Sequence, residues 1–519
     1  MATNLHLVTR MARNPNATRA PDPTPGRRTQ LGPIPIVPQT PVAIDPDRTH
    51  EIAALADRIR RRQPGIDDVR PYGDAVRAGC GTGPSLFLHD TAGIQEVGLP
   101  KPSGLEYRPL PLAGTGDFLA VCDEWNPAFA AYCRDTLGLG DVEVLRARRS
   151  HSRASLATLC RRDPDVVHRL AAAARARGGL TLHPYISSPA VWQLAAAIAR
   201  DAGGAPVHVA APPPRVARSV NDKLWFALRV AELLGPDALP PSCAARDADS
   251  LLRGIERLAP QCDQLVLKLP SSAGSRGNTI LDCARLRGRP RDALLAELAD
   301  LFRRLGWRRP FPLLVSVWET PVAMSPSAQL WVPEIDDSPP VVEGVFEQDI
   351  GGDAGRFTGA APAQLAPETV HRIAHEATLL ASLFQRLGYF GRCSFDAILV
   401  GDDPDRAALH WVECNGRWGG TSTPMTTVNR LTGDWARAPF AIVHPDWEFR
   451  LGFEEVLDRV GDRIFRPGDA RGVVFISPGN PAAGTGIEFV VIDRDVWTAR
   501  REAARVSELL RAADAGARR

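Results

Sequence analysis

Two short stretches of this chain carry residues whose types and spacing suit phosphate and metal chemistry. In Leu265-Val-Leu-Lys268-Leu-Pro-Ser271-Ser272-Ala-Gly274-Ser275-Arg-Gly277-Asn-Thr-Ile-Leu281, an apolar strand ends at a lysine, a loop of small residues follows, and a second strand begins. Glycine and serine let backbone N–H groups approach phosphate oxygens, and a nest of such donors holds anionic charge. The ammonium of Lys268 adds a point charge on the same phosphates. The loop lacks the Gly-Lys-Ser/Thr ending of a Walker A loop and lies between two strands, so it is not that motif. Taken alone, an exposed hairpin with a flexible turn accounts for it equally well.

The second stretch is a carboxylate pair. Ser394-Phe-Asp396-Ala-Ile-Leu-Val400 and His410-Trp-Val-Glu413-Cys-Asn415 read as adjacent strands joined by Gly401-Asp-Asp-Pro404. The strand period puts Asp396, Ile398 and Val400 on one face, and Trp411, Glu413 and Asn415 on one face. With the strands in register, Asp396, Glu413 and Asn415 converge. An acid inside apolar strands is costly unless paired or bound to a cation. Three hard oxygen ligands without His or Cys suit Mg2+ held between protein and nucleotide phosphates. The bland alternative, acids at solvent or paired with arginines, weakens because Gly416-Arg417-Trp-Gly-Gly420 follows directly.

Composition sharpens the lysines. Of 62 Lys and Arg residues only Lys101, Lys223 and Lys268 are lysine. A chain that writes arginine wherever a generic positive charge suffices keeps lysine where a compact ammonium on a flexible stem is needed. Lys101, between Pro100 and Pro102, reads as chance survival in a loop. The 519 residues allow about three domains, and 44% hydrophobic with 24% charged residues is ordinary for a globular protein. A net charge of +2 gives no field that draws nucleic acid or anionic membrane. No apolar run approaches the ~18 residues of a membrane span, and no secretory core opens the chain. Nine scattered cysteines without a Cys-x-x-Cys pair point to reduced thiols and a cytoplasmic setting.

The elements that position these residues follow from periodicity. Residues 1–48, rich in Pro, Arg and Thr, read as a disordered arm. From 49 to 215, strands and helices alternate: helix from His50, strand Asp117–Cys122, helix Ala128–Leu137, strand Val142–Leu145, helix Asp165–Arg175, strand Leu180–Tyr185, helix Ala190–Asp201, strand Val207–Ala210. Such alternation predicts a parallel sheet, without the G-x-G-x-x-G of a dinucleotide site. Ala211-Pro-Pro-Pro-Arg215 reads as a linker. A helix over 221–235 follows, capped by Asn221 or Asp222, with apolar positions 224, 227, 228, 231 and 234. A hairpin, a helix Asp292–Leu305, a strand Pro312–Trp318 and a long helix Glu368–Leu387 lead to the carboxylate strands. The last part holds a helix Phe453–Val460, strands Gly472–Ser477 and Gly486–Ile492, and a closing helix.

Lys223, the Lys268 strand with its Ser/Gly loop, Asp396 and Glu413-Cys-Asn415-Gly-Arg417 occur in the order that resembles the ATP-grasp superfamily. The likeness covers residues 216–431. Leu387-Gly-Tyr-Phe-Gly-Arg-Cys-Ser-Phe-Asp396 and Glu413-Cys-Asn-Gly-Arg-Trp-Gly-Gly-Thr-Ser-Thr-Pro-Met425 look closest to a natural-product branch that includes pheganomycin-type peptide ligases. The resemblance implies an α/β chain in four parts: the arm 1–48, a Rossmann-like pre-ATP-grasp domain 49–215, an α+β ATP-grasp catalytic domain 216–431 made of two subdomains with a small lid over about 236–320, and an α+β C-terminal extension 432–519. It implies ATP and two Mg2+ ions as cofactors. Lys223, Lys268, Ser271, Ser272, Gly274, Ser275 and Gly277 would hold ATP, with Glu319 at the adenine or ribose hinge. Asp396, Glu413 and Asn415 would bind metal, and Lys268 and Arg417 would face the transferring phosphate. Some carboxylate ligases of the superfamily carry an arginine two residues before the first metal acid; Ser394 stands there, and Arg392 lies four before.

The implied reaction joins a small-molecule carboxylate to an amine through an acyl-phosphate, releasing ADP and phosphate, in small-molecule or natural-product biosynthesis. Two rivals share the fold: a kinase phosphorylating a small acceptor, and an ATP-binding regulatory protein without catalysis. The expected partners are the two substrates, with neither nucleic acid nor membrane, and self-association into a homo-oligomer is left open. His183 and His410 read as packing or hydrogen-bonding residues, and no residue stands out as general base.

Overall fold

The computed structural model describes residues 42–90, 105–122, 126–147, 154–272, 277–351, 356–445, 447, 450–479 and 486–516. The arm up to residue 41, Lys101, Gly274 and Ser275 lie outside the described residues.

Six parallel strands form the first sheet: β1 Val76–Ala78, β2 Ser85–Leu88, β3 Phe118–Val121, β4 Glu143–Arg146, β5 Leu180–Pro184 and β6 Val207–Val209, in the order β1-β6-β5-β2-β3-β4. Strands such as Phe-Leu-Ala-Val are apolar throughout because both faces of a parallel sheet are covered. Helices α3 Leu156–Arg162, α4 Pro164–Arg177 and α5 Pro189–Asp201 cover one face. On the other, Phe87, Leu119 and Val121 pack with α2 Pro127–Ala131 and with apolar residues from beyond position 432.

The first helix, α1 Pro46–Arg62, begins within the segment expected to be arm, with Asp45 accepting from the Asp47 amide as its cap. Its buried face, Ile52, Leu55, Ala56 and Ile59, joins the core of the central unit rather than the parallel sheet, which the boundary at residue 49 did not anticipate. Nor is 211–215 a loose linker. Ala211, Pro212 and Pro213 are buried, and Pro214 opens α6, Pro214–Val220, at the position where a missing N–H costs nothing. In α7, Lys223–Leu233, Asp222 is the cap, and the buried stripe is Phe226, Ala227, Val230 and Leu233. Leu228, expected inside, is 51% exposed.

The small antiparallel sheet orders β7 Ser242–Ala245, β8 Gln264–Lys268, β9 Asn278–Asp282 and β10 Leu313–Val317 as β7-β10-β8-β9. Helices α8 Ala248–Leu258 and α10 Arg291–Arg304 share its core, with the short α9 Cys283–Leu286 between. β7 and α8 have no counterpart in the sequence reading.

The nine-stranded antiparallel sheet comprises β11 Val322–Met324, β12 Pro326–Val332, β13 Val341–Gly351, β14 Arg356–Pro362, β15 Gly391–Val400, β16 Ala408–Asn415, β17 Phe440–Val443, β18 Gly472–Ser477 and β19 Glu488–Ile492. Helices α11 Pro367–Arg386, α12 Ser422–Thr432, α13 Phe453–Val460 and α14 Val496–Gly516 complete it. Its order runs β11-β15-β12-β13-β14-β17-β19-β18, with β16 on the other edge of β15. The expected C-terminal extension is therefore not a separate layer. Its strands β17, β19 and β18 continue the sheet that carries Asp396, because the edge of β14 offers unpaired backbone groups that β17 satisfies.

Candidate functional site

The ends of the small and large sheets meet around two lysines. Lys268 is the last residue of β8 and Lys223 the first of α7, and both are buried. The Lys223 amide donates to the Pro270 carbonyl at 3.0 Å, and its ammonium donates to the Ser272 carbonyl at 2.7 Å, so the helix start is tied to the Ser/Gly loop. Gly277 closes that loop: a Cβ there would lie 2.1 Å from the Ser272 hydroxyl, a clash that only glycine avoids. Ser271 and Ser272 stand at the described base of the loop.

Opposite them, β15 and β16 pair with Asp396 across from Glu413 and Ser394 across from Asn415. A bulge follows, since Ala397 pairs with Trp411 and Val412 falls between. Trp411 therefore turns to the other face, into the core with Phe395 and Leu399, although a uniform strand period placed it beside Glu413. The extra residue aims Glu413, and Trp411 anchors the strand by donating its indole N–H to Glu376 at 2.8 Å.

The two carboxylates differ in environment. Asp396 accepts from the Ser327 hydroxyl at 2.6 Å and the Asn415 amide at 2.7 Å. Burial and the neighbouring charge of Glu413 nevertheless push its carboxyl well above the usual range. Burial also works against the charge on Glu413, but the Lys223 ammonium at 2.8 Å, with Lys268 and Arg417 nearby, holds it below the usual value. Burial pushes Lys268 down to about 8, partly offset by Glu413 and Glu319 and reinforced by Lys223. Two lysines, two carboxylates and an arginine thus share one electrostatic neighbourhood. A raised carboxyl beside an ionised one marks a place where a divalent cation would replace a proton, and Asp396, Glu413 and the Asn415 amide oxygen form a hard-oxygen set that fits Mg2+. Among the described residues no group of three His, Cys, Asp or Glu side chains could hold a metal ion, so this set depends on the Asn415 amide as its third ligand.

Glu319 follows β10 at the cleft wall, where its carboxylate meets the His410 ring at 2.7 Å. Of the two roles expected for His410, packing or hydrogen bonding, it takes the second, with Glu319 as its partner. Arg417 is held by residues the sequence reading used otherwise. Asn221, a candidate helix cap, instead accepts from the Gly416 amide at 3.0 Å and from the Arg417 guanidinium at 2.9 Å. Burial works against the charge on Arg417, but Tyr185 of the parallel layer, with Glu413 and Asp396, holds its guanidinium above the usual value. A Cβ on Gly416 would lie 2.5 Å from a Val220 methyl and 2.8 Å from the Asn221 amide nitrogen. Gly416→Ala is therefore expected to displace this clamp and lower turnover about tenfold or more through misplacement of Arg417. A variant with wild-type kcat would show that the clamp does not set its position.

Ser327, which fixes one Asp396 oxygen and is itself held by Gln329 at 2.9 Å, lies in a strand that was not anticipated. Arg392 does not reach the carboxylate pair: its guanidinium binds Glu343 in the interior and stacks 5.0 Å from the Trp418 ring. All nine cysteines are free thiols, and no described helix is long and apolar enough to cross a membrane.

A Rossmann-like parallel layer, a small antiparallel sheet and a large antiparallel sheet, with lysines and carboxylates meeting between them, match the ATP-grasp fold with a preceding domain. Residues 106–199 match the family model of the pre ATP-grasp domain. No curated protein matches the sequence. Among solved structures, the biotin carboxylase domain dimer of Hydrogenobacter thermophilus 2-oxoglutarate carboxylase, in complex with MgADP, ADP and bicarbonate, aligns with a TM-score of 0.52 at 11% identity over 83% of this chain and 90% of that one. The ADP complex of purK, N5-carboxyaminoimidazole ribonucleotide synthetase, gives 0.50 at 11% identity over 83% and 98%. Rhizobium etli pyruvate carboxylase T882A gives 0.50 at 12% identity over 82% and 37%. These likenesses describe the fold.

Proposed function

We propose that this protein is an ADP-forming carboxylate–amine ligase that uses ATP and Mg2+ and passes through an acyl-phosphate. The observation that carries the reading is the 2.8 Å contact of Lys223 with Glu413, beside Lys268, Asp396 and Asn415. Side chains from the small sheet, α7 and the large sheet meet there in the combination that a triphosphate and its metal require. That similar folds have been solved with MgADP and bicarbonate, or with ADP, supports the nucleotide part.

In this reading Lys268, Lys223 and the backbone of Ser271, Ser272 and Gly277, with Gly274 and Ser275, hold the phosphates, and Glu319 borders the adenine or ribose. Asp396, Glu413 and Asn415 would hold two Mg2+ ions, whose charge would offset that developing on the transferring phosphate. Arg417 faces the carboxylate that attacks the γ-phosphate and then the acyl-phosphate. Lys268 enters with a depressed proton affinity and is fully charged once phosphate oxygens surround it. The amine attacks the acyl carbon, an amide forms, and phosphate leaves. A site closed by the small sheet keeps water from the intermediate. The reaction belongs in small-molecule or natural-product biosynthesis, including peptide bond formation, in a cytoplasmic protein.

Hydroxylamine trapping tests the proposal. With ATP, Mg2+ and a panel of amino acids, peptides and aryl acids, a ligase yields a hydroxamate in step with ADP. A stable phosphorylated acceptor would make it a kinase, and nucleotide binding without ADP release would make it a regulatory binder.

A further inference from the structure

Beyond Arg417 the chain enters a helix whose first turn is buried and unanswered. Thr421, Ser422 and Thr423 at the start of α12 are 4%, 3% and 0% exposed, yet no side chain caps the helix. Pro424 has no N–H to offer, and the Ser422 hydroxyl is used to accept from the Gly419 amide at 2.8 Å. The first amides of a helix have no acceptor within it, so a buried helix start without a side-chain cap calls for one, and the helix dipole favours an anion.

A second observation comes from another layer, beside Trp418, three residues before Thr421. His89, the first residue after β2, is fully buried, and neither ring nitrogen has a hydrogen-bond partner among the described residues. Its ring lies 6.0 Å from that of Trp418 and 5.6 Å from that of Tyr185, the first residue after β5. The Nε of Arg417 is likewise buried without a hydrogen-bond partner. Burial, then Arg108 and His183, keep the imidazole neutral, so it offers one N–H donor. Arg108 itself is engaged by Glu488 at 2.7 Å and donates to the Gly419 carbonyl at 3.3 Å. The strand order fixes the meaning of this spot. β2 and β5 are the neighbours at which the parallel sheet reverses its winding, β3 and β4 lying to one side and β6 to the other. Open parallel sheets bind ligands in the crevice beyond the carboxyl ends of such a pair. Buried donors left unsatisfied are costly, and those of His89 and Arg417, on either side of Trp418 with the start of α12 just beyond, call for an acceptor.

We infer that this crevice seats the carboxylate substrate: His89, the Nε–H of Arg417 and the first amides of α12 close on the carboxylate oxygens, while Trp418 and Tyr185 contact the carbon body. The inference rests on the ligase reading, which needs a carboxylate beside Arg417. The substrate class is a monocarboxylic acid with a flat, apolar group next to the carboxylate. Aromatic rings line the crevice, and the charge of Arg108 is already taken up by Glu488. The N-terminal domain thereby helps to select the acid through one imidazole.

The probe is 4-fluorobenzoate, followed by fluorine NMR on the full-length protein with MgADP, whose own affinity is measured by calorimetry. The wild type is expected to bind it, with benzoate competing and benzamide not. His89→Phe keeps the ring volume and removes the donor, and should weaken binding about tenfold or more; His89→Gln, which keeps an N–H, should recover most of it. MgADP affinity should be unchanged in both. Arg417→Lys, which has no Nε–H, should show a similar tenfold loss and keeps the test open if His89→Phe fails to fold. A wild type that ignores 4-fluorobenzoate, or His89→Phe or Arg417→Lys binding it normally, overturns the inference. A wild type that binds the probe but not MgADP would retire the ligase reading and leave the carboxylate site standing.

Discussion

Glu413→Gln is expected to lower ATP-dependent ADP formation by about a thousandfold, the scale seen when a group that organises transition-state charge is removed. Glutamine keeps the shape and one carbonyl oxygen but carries no charge for a metal. In the wild-type cleft the Glu413 carboxylate balances Lys223 at 2.8 Å and lies close to Lys268. Without it, the two buried ammonium groups repel each other, with Glu319 the remaining acid acting on Lys268. Asp396, no longer beside an ionised neighbour, loses a cause of its raised proton affinity and titrates nearer the ordinary carboxylate range. The nucleotide-free variant should therefore unfold at lower temperature than the wild type, and free nucleotide, an anion, should narrow the gap. Coupled-enzyme measurement of ADP together with thermal scans with and without ATP checks both parts. Turnover within tenfold of the wild type would remove Glu413 from the metal set and with it the site assignment.

That carboxylate cluster was legible because its parts are local. Asp396 and Glu413 sit on two strands joined by one polar turn, so alternation and a guess at register bring them together. The bulge at Val412 was not legible, since nothing in Trp411-Val412-Glu413 marks an extra residue. The two cleft lysines stood out through rarity together with their places before a small-residue loop and at a helix start, and rarity is a signal that survives any distance along the chain. Partners that act across long separations stayed hidden. Ser327 reaches Asp396 over 69 residues and Asn221 reaches Gly416 over 195, and both look like ordinary polar residues in their own segments. His89 left no trace, because its unsatisfied nitrogens are a property of the folded crevice. β18 and β19 were readable one by one, but β17, which ties them to the free edge of β14, was not, and periodicity does not encode that joining. Within the parallel layer β3, β4, β5 and β6 were readable from their own apolar runs, whereas β1, β2 and α3, short and without a sustained period, were not.

Arg392 shows how such non-local partners set both stability and geometry. It lies in β15 on the same face as Ser394 and Asp396, the position from which a direct role in the reaction is most tempting. Instead its guanidinium is buried against Glu343 of β13 and lies between the Trp331 ring at 5.5 Å and the Trp418 ring at 5.0 Å. Both charges are essentially inaccessible, with side chains 1% and 0% exposed, so solvent does little to screen them. Arg392→Met keeps the length of the side chain and leaves the Glu343 carboxylate in the interior without that counter-charge. The expected cost is about 3–5 kcal/mol, read as a lowered urea midpoint. Adding Glu343→Leu removes the stranded charge and should restore most of the loss, since a well-packed apolar pair can replace a buried ion pair. Activity should not return with it. Trp418 would still lack the cation beneath its ring, a contact of about 0.5–2 kcal/mol that fixes the turn between Arg417 and α12. A double variant that regains both stability and full turnover would show that Arg392 serves only the core; recovery of stability alone would show that the ion pair beneath Trp418 holds the catalytic turn in place.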